Sequence, residues 1–233
     1  MRMRRKKNLI PRLERCGDII VKNPEERRGA WREGFDKLFL ELGCGKGRFT
    51  AETAKNLTDT MLVAVERVPD AMVVAAERVV SEGLENVRFI DMDASRLLEV
   101  FSPGEAERIY INFCDPWPGK RHQKRRLTAS GFLLLYRQAL KDGGEIHFKT
   151  DNSELFEFSL EEFSACGFSL HQVTRDLHAS GPVGVMTDYE QKFYTQGIKI
   201  NRCVARKEEF THEISGGTVG VEAGPLGNAD TEI

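Results

Sequence analysis

Five short apolar runs limit what this chain can become: KLFLELG (37–43), MLVAVE (61–66), VRFIDMD (87–93), RIYINF (108–113) and GEIHFKT (144–150). They read as strands buried on both faces of a parallel sheet. Helical patterns fill the gaps. Pro69 opens one helix at its first turn, with Ala71, Val74, Ala75 and Val79 along one face. Leu127 to Leu140 reads as a second, ended by Asp142-Gly143-Gly144, and Phe156, Leu160 and Phe163 line a third that stops near Gly167. Strands alternating with helices at this spacing predict one α/β domain with a parallel sheet. The apolar stretches near Phe168–Val173 and Gly197–Val204 add an antiparallel pair at the sheet edge.

The two ends of the chain differ from this middle. Residues 1–15 hold seven Lys/Arg against Glu14, without apolar periodicity, and are expected to be mobile unless something anionic orders them. Residues 16–207 form the domain. Residues 208–233 are acidic and Gly-rich, carry no Lys or Arg, and are expected to be disordered. With that tail set aside, residues 1–207 carry 34 basic against 30 acidic groups, so the chain's net charge of −2 conceals a basic body. No run approaches the length that spans a bilayer, and MRMRRKKNLIPRLER lacks the apolar core of a secretion signal. Five cysteines lie scattered without paired metal spacing, which suits a reducing cytoplasm and no metal site.

ELGCGKGRF (41–49) follows the first strand and opens a helix. Glycines 43, 45 and 47 permit a tight turn and let a ligand approach the backbone. Glu66 ends the next strand, twenty-three residues after Gly43, where nucleotide-binding folds place the acid that binds ribose hydroxyls. Glu41 sits where a pyrophosphate would be repelled but a cation welcomed. S-adenosylmethionine, with its sulfonium and ammonium groups, fits: Glu41 near the amino-acid end, Glu66 on the ribose, and Asp93-Ala94, which ends the third strand, near the adenine.

FCDPWPGKRHQKRR (113–126) follows the fourth strand. Pro116 and Pro118 restrict Asp115 and Trp117 to extended backbone, holding the Asp115 carboxylate on a stiff turn. Trp117 reads equally as a base-stacking residue or a packing plug. Lys120, Arg121, Lys124, Arg125 and Arg126 come next, with His122 among them. A basic block beside a cofactor cleft implies an anionic macromolecular substrate.

With KTDN (149–152), TDYE (187–190) and the basic start, these motifs resemble the bacterial tRNA (guanine-N7-)-methyltransferases over residues 1–207. The resemblance implies a class I methyltransferase (Rossmann-like) fold: seven strands, mostly parallel, the last antiparallel, with helices on both faces. It implies methyl transfer from S-adenosylmethionine to N7 of the guanosine at position 46 in the tRNA variable loop. Carried over by motif, Glu41, Glu66, Asp93 and Asp115 bind the cofactor, Gly43, Gly45 and Ala94 line it, and Asp115 is also catalytic. Asp151, Thr187, Asp188, Tyr189 and Glu190 match substrate positions, and Arg121 to Arg126 the RNA-interacting segment. Where the family commonly has a first lysine after DPWP this chain has Gly119, so Lys120 or Arg121 is expected to take over its phosphate contact. Oligomeric state, monomer or homodimer, is left open.

Guanine N7 has a free lone pair, so the chemistry asks for alignment and charge compensation rather than proton removal. Asp115 and Asp151 are expected to share that work, with Glu190 and Thr187 on the base or ribose. Cys44 and Cys114 are expected to be small fillers, not nucleophiles. A nicotinamide-dependent oxidoreductase would leave Glu41 and the basic block unexplained, and a plain RNA-binding module would leave the three strand-end acids unexplained. A methyltransferase of protein amines would not need the basic block.

Overall fold

The computed structural model describes residues 6–208; the expectations for residues 1–5 and for the tail 209–233 lie outside it. Seven strands form one sheet: β1 (Lys37–Leu42), β2 (Thr60–Glu66), β3 (Val87–Asp91), β4 (Ala106–Asn112), β5 (Leu140–Thr150), β6 (Phe168–Thr174) and β7 (Asn201–Lys207). The helices are α1 (Leu9–Arg15), α2 (Arg48–Asn56), α3 (Pro69–Ser81), α4 (Leu97–Val100), α5 (Ser130–Ala139), α6 (Ser153–Ala165) and α7 (Asp188–Thr195). The spatial order is β3-β2-β1-β4-β5-β7-β6, with β7 antiparallel to both of its neighbours and the other pairs parallel. The expected seven-stranded, mostly parallel sheet with an antiparallel edge is therefore present.

Two apolar layers enclose the sheet. Phe39, Leu62, Ala64, Phe89 and Tyr110 meet α2 and α3 on one face. Leu38, Leu40, Val63, Ile109, Ile111 and Phe148 meet α4, α5 and α6 on the other. Covering both faces is why the strands read as continuous apolar runs rather than alternating ones. The Trp31 ring is fully buried in the second layer, with its Nε1–H donating to the Val100 carbonyl at 2.9 Å and Phe101 5.3 Å away.

The structure departs from the sequence reading at three places. Residues 9–15 form helix α1 packed on α3, where the Glu77 carboxylate takes both Nε (2.7 Å) and Nη2 (2.5 Å) of Arg12. For Arg12 the counter-charge thus belongs to the protein itself. Helix α5 is shorter than expected. Buried Leu140 turns extended and pairs with Ala106, so Asp142-Gly143-Gly144 lies inside an irregular β5 rather than stopping a helix. The third strand ends at Asp91, because Asp93 caps the following turn by accepting the Ser95 N–H.

Strand order reverses between β1 and β4, which opens a crevice at their carboxyl ends. Gly47 sets its near wall: φ is +74°, and an added Cβ would stand 2.5 Å from the Ala75 Cβ of α3. Gly45, at φ +57°, has open space instead. Gly47→Ala should therefore lose about 3 kcal/mol of folding stability, from overpacking added to left-handed strain, and Gly45→Ala about 1 kcal/mol from strain alone. Urea denaturation measures both, and equal losses would mean that close approach to α3 is not what Gly47 provides.

Candidate active site

Glu41 and Glu66 lie at the ends of β1 and β2 and Asp93 just beyond β3, in different surroundings. Glu41 lies beneath the glycine loop at 1% exposure and accepts the Thr50 hydroxyl at 2.6 Å. Burial pushes its pKa from 4.5 up to about 7, against the pull of hydrogen bonds from Thr50 and Asn112. Glu66 is half-buried; it accepts the Gly45 N–H at 3.0 Å and the Val68 N–H at 2.9 Å, tying the glycine loop to β2. Asp93 accepts the Ser95 N–H at 3.0 Å, with Arg67 3.4 Å away; the Ser95 N–H foremost holds its pKa below the usual range. Ala94 beside it is buried. A Cβ on Gly43 or Gly45 would meet nothing within 4 Å, so the loop's outer side is open to a ligand.

Below the same loop, Asn112 ends β4 at 7% exposure with its side-chain amide turned to Glu41, whose carboxyl it helps to hold. An amide inside the run RIYINF was a visible signal of function that the sequence reading passed over.

The turn after β4 is held from beneath by one side chain. Arg126, expected on RNA phosphate, is 1% exposed. Its Nε donates to the Pro116 carbonyl at 2.9 Å, its Nη2 to the Trp117 carbonyl at 3.4 Å and to Glu154 at 2.9 Å, and its guanidinium lies over the Phe158 ring. The planar fork matches carbonyls that a proline turn leaves unpaired, so Arg126 braces the turn and does not face solvent. Asp115 is exposed above it. Phe113 and Trp117 have φ of 52° and 41°, so Trp117 is left-handed rather than extended as its proline neighbour suggested. The Trp117 indole is half-buried, with Arg125 over its face at 5.0 Å and His122 at 6.2 Å.

Residues Lys120–Arg125 form a 3-10 turn rather than the first turn of a long helix. Lys120, Arg121, Lys124 and Arg125 are exposed on it, and the half-buried His122 takes Arg121 Nε at 3.0 Å. These cations and Asp115 share one short segment, as expected. Burial raises the pKa of Cys44 and lifts Cys114 to about 12, so both thiols stay protonated.

Asp151 is exposed just beyond β5, where Asn152 caps α6 by accepting the Leu155 N–H. The TDYE stretch divides. Thr187 and Glu190 form the capping box of α7, and Glu190 is 0% exposed. Its carboxylate receives Lys149 Nζ at 2.7 Å and lies 3.1 Å from His178 Nε2. Burial lowers the Lys149 pKa, and Glu190 opposes that shift. Glu190, expected on the base or ribose, instead fastens α7 to the end of β5, its fully buried carboxylate lying between Lys149 and His178. Half-buried Thr187 caps the helix and keeps a hydroxyl proton to donate. Asp188 and Tyr189 remain exposed, Asp188 standing 4.0 Å from both Arg48 and Arg78. Lys149 and His178 were missed, although a lysine ending a buried strand requires a counter-charge.

The family model described as "Putative methyltransferase" matches residues 36–203. A curated relative from Geobacillus kaustophilus, named tRNA (guanine-N(7)-)-methyltransferase, is 44% identical over 88% of this chain and 96% of its own length. One of the same name from Streptococcus suis is 43% identical over 88% and 99%. Among solved structures, a 16S rRNA (adenine(1408)-N(1))-methyltransferase from Catenulisporales acidiphilia with cosubstrate SAM superposes with TM-score 0.59 at 14% identity, covering 81% of this chain and 92% of that one. An antibiotic-related methyltransferase superposes with TM-score 0.60 at 20% identity, over 79% and 94%. These two structures share the Rossmann-like fold.

The raised Glu41 pKa has a defined consequence for stability. Between pH 4.5 and about 7 the unfolded chain ionises this carboxyl and the folded chain does not. The contribution is therefore full below pH 4.5, is lost as pH rises through about 7, and is constant above. Glu41→Gln removes it. The stability difference between variant and parent should swing toward the variant by about 3 kcal/mol from acid to pH 8, read from urea midpoints across pH. A flat difference would show that Glu41 ionises normally.

Proposed function

The chain belongs to the bacterial tRNA (guanine-N(7)-)-methyltransferase family, and from that premise we propose that it transfers the methyl group of S-adenosylmethionine to N7 of guanosine 46 in the tRNA variable loop. One observation carries the residue assignment. Exposed Asp115 stands on its braced turn at the strand-order reversal, with the glycine loop and its acids on one side and the exposed cations of Lys120–Arg125 on the other.

S-adenosylmethionine supplies an electrophilic methyl group on a sulfonium. The residues fit it: open space above Gly43 and Gly45, and a buried carboxyl with a buried amide beside it below. Glu66 spends one hydrogen bond per oxygen on Gly45 and Val68, leaving lone pairs for ribose hydroxyls. Asp93, held ionised, is placed for the adenine end, beside Ala94. Glu41 supplies charge when a cation stands above it, since a neighbouring positive group favours the ionised form.

On the substrate side, Asp115 and Asp151 flank the guanine. Their carboxylates accept N1–H and the 2-amino group, which selects guanine over adenine, and offset the positive charge that grows on the purine as N7 is alkylated. No proton leaves N7, so neither carboxylate works as a general base. Lys120, Arg121, Lys124 and Arg125 hold phosphates and set the position of the RNA, while its shape does much of the selection. With every one of these residues on one chain, a monomer or a homodimer serves equally, in the cytoplasm where tRNA is modified.

Mass spectrometry of nucleosides from unmodified tRNA, incubated with enzyme and S-adenosylmethionine, tests the reaction: 7-methylguanosine is expected, and its absence overturns the proposal. Asp115→Asn should lower kcat about 100-fold, the scale of losing one preorganised electrostatic group; near-parental turnover would remove Asp115 from its role. Lys120→Ala and Arg121→Ala should each weaken tRNA binding and reduce its salt dependence by roughly one ion. If neither variant changes the salt slope, the compensation for Gly119 is elsewhere.

A further inference from the structure

On the side of the sheet that carries α2 and α3, the cover is uneven. Those helices pack on β2 and β3, and α7 is fastened at the end of β5. Farther out, β4, β5 and β7 present charged side chains in cross-strand rows set by their register. Arg108, Glu145 and Arg206 form one such row, and Asn112, Lys149 and Arg202 another, nearest the crevice. On the reverse side of the same strands, Ile109, Ile146, Phe148 and Ala205 lie in the apolar layer with α5 and α6. Half-buried Glu145 and His147 alternate with buried neighbours along β5, as in a strand with one open face.

Two features of these rows call for an anion. Glu145 is shared: its carboxylate takes Arg108 at 3.0 Å and Arg206 at 2.8 Å, and it lies 2.9 Å from His147 Nε2. The two arginine side chains nevertheless stay 30% and 49% exposed. Arg108 lies over the Phe39 ring at 4.8 Å, so its planar group is already oriented. The second feature is a pair of like charges. Arg202 stands directly opposite Lys149, an arrangement that is destabilising across two strands. Glu190 compensates Lys149 at 2.7 Å, whereas half-buried Arg202 has no carboxylate partner among the described residues. Burial, and next the charge of Arg108, pushes His147 down to about 4, so it adds no charge at neutral pH. Three arginines against one carboxylate leave the face cationic.

We propose that this open face of β4, β5 and β7 binds tRNA phosphates outside the methylation site, as a second contact surface beside Lys120–Arg125. This rests on the reading of the protein as a tRNA methyltransferase. The face begins close to the chemistry. Arg202 is two strands from Asn112, about 10 Å at ordinary strand spacing, and Asp115 is three residues beyond Asn112. Arg206 lies four residues farther along β7, about 13 Å away. RNA leaving the crevice along β7 lays its backbone across both arginines and supplies the counter-charge that Arg202 lacks. Contacts of this kind position the RNA without reading its sequence. A cationic surface without an apolar centre suits a polyanion, since protein interfaces are depleted of charge at their core.

The test is binding of unmodified tRNA to the full-length chain, measured from low to high salt. Arg202→Ala and Arg206→Ala should each weaken binding roughly 5-fold, the upper end for one exposed ion pair, and lower the salt slope by about one. Arg202→Lys, which keeps the charge, should restore most of the affinity. The kcat at saturating tRNA and the affinity for S-adenosylhomocysteine should stay parental, which a folding defect would not allow. Parental affinity and slope in both alanine variants overturn the proposal. A loss that accompanies a change of oligomeric state in sedimentation also overturns it, because the face then holds a second copy. So does a loss seen only after residues 209–233 are removed, because those acidic residues are then the occupant. If the parental chain makes no 7-methylguanosine, it is the underlying reading that fails; if it does and the alanine variants bind tRNA as it does, the face alone fails.

Discussion

Because β1 pairs with β2 on one side and β4 on the other, the chain advances across the sheet in opposite directions from that seam. Loops leaving β1 and β4 must then diverge to opposite faces, and a crevice stays open between them. The glycine loop and the Asp115 turn are those two loops. Everything that follows depends on their separation: the acids of β1, β2 and β3 gather on one wall, and the residues after β4 and β5 on the other.

Buried charge keeps the second wall in place. Arg126 spends its guanidinium on the Pro116 and Trp117 carbonyls and Glu154, so the turn carrying Asp115 has a support beneath it. Glu190 does the same for α7 through Lys149 and His178. The Lys149–Glu190 pair contributes little net stability, because removing both charges from water offsets most of their attraction. In the other pair Arg126 is buried while Glu154 stays exposed. They are specific, however, since each has one arrangement that satisfies its hydrogen bonds. Glu41 is the opposite case: a buried carboxyl held by the Thr50 hydroxyl and the Asn112 amide, with no cation bonded to it among the described residues and its ionisation suppressed by burial.

Much of the fold was legible. Strands buried on both faces leave unbroken apolar runs, and Pro69 and the glycine loop mark where helices open. Boundaries were less so: Asp142-Gly143-Gly144 has the composition of a helix stop, yet pairing of Leu140 with Ala106 draws it into β5. In the site, Glu66 ends β2 as the sequence reads, whereas Asp93 lies two residues beyond β3 and Asp115 three beyond β4. Arg126 and Glu190, both buried, were assigned to substrate because they sit inside motifs rich in exposed residues. Nothing in the order KRHQKRR distinguishes the arginine that turns inward from the four Lys/Arg residues that do not.

The sequence by itself determined the sheet, the glycine loop, the strand-end acids and the density of positive charge after β4, since each follows from local pattern and spacing. Only the tertiary structure decided which charges face solvent. That depends on what packs against a side chain from distant parts of the chain: Glu154 and Phe158 for Arg126, Lys149 and His178 for Glu190, and Glu77 for Arg12. Those partners lie between 12 and 65 residues away, beyond the reach of any local pattern.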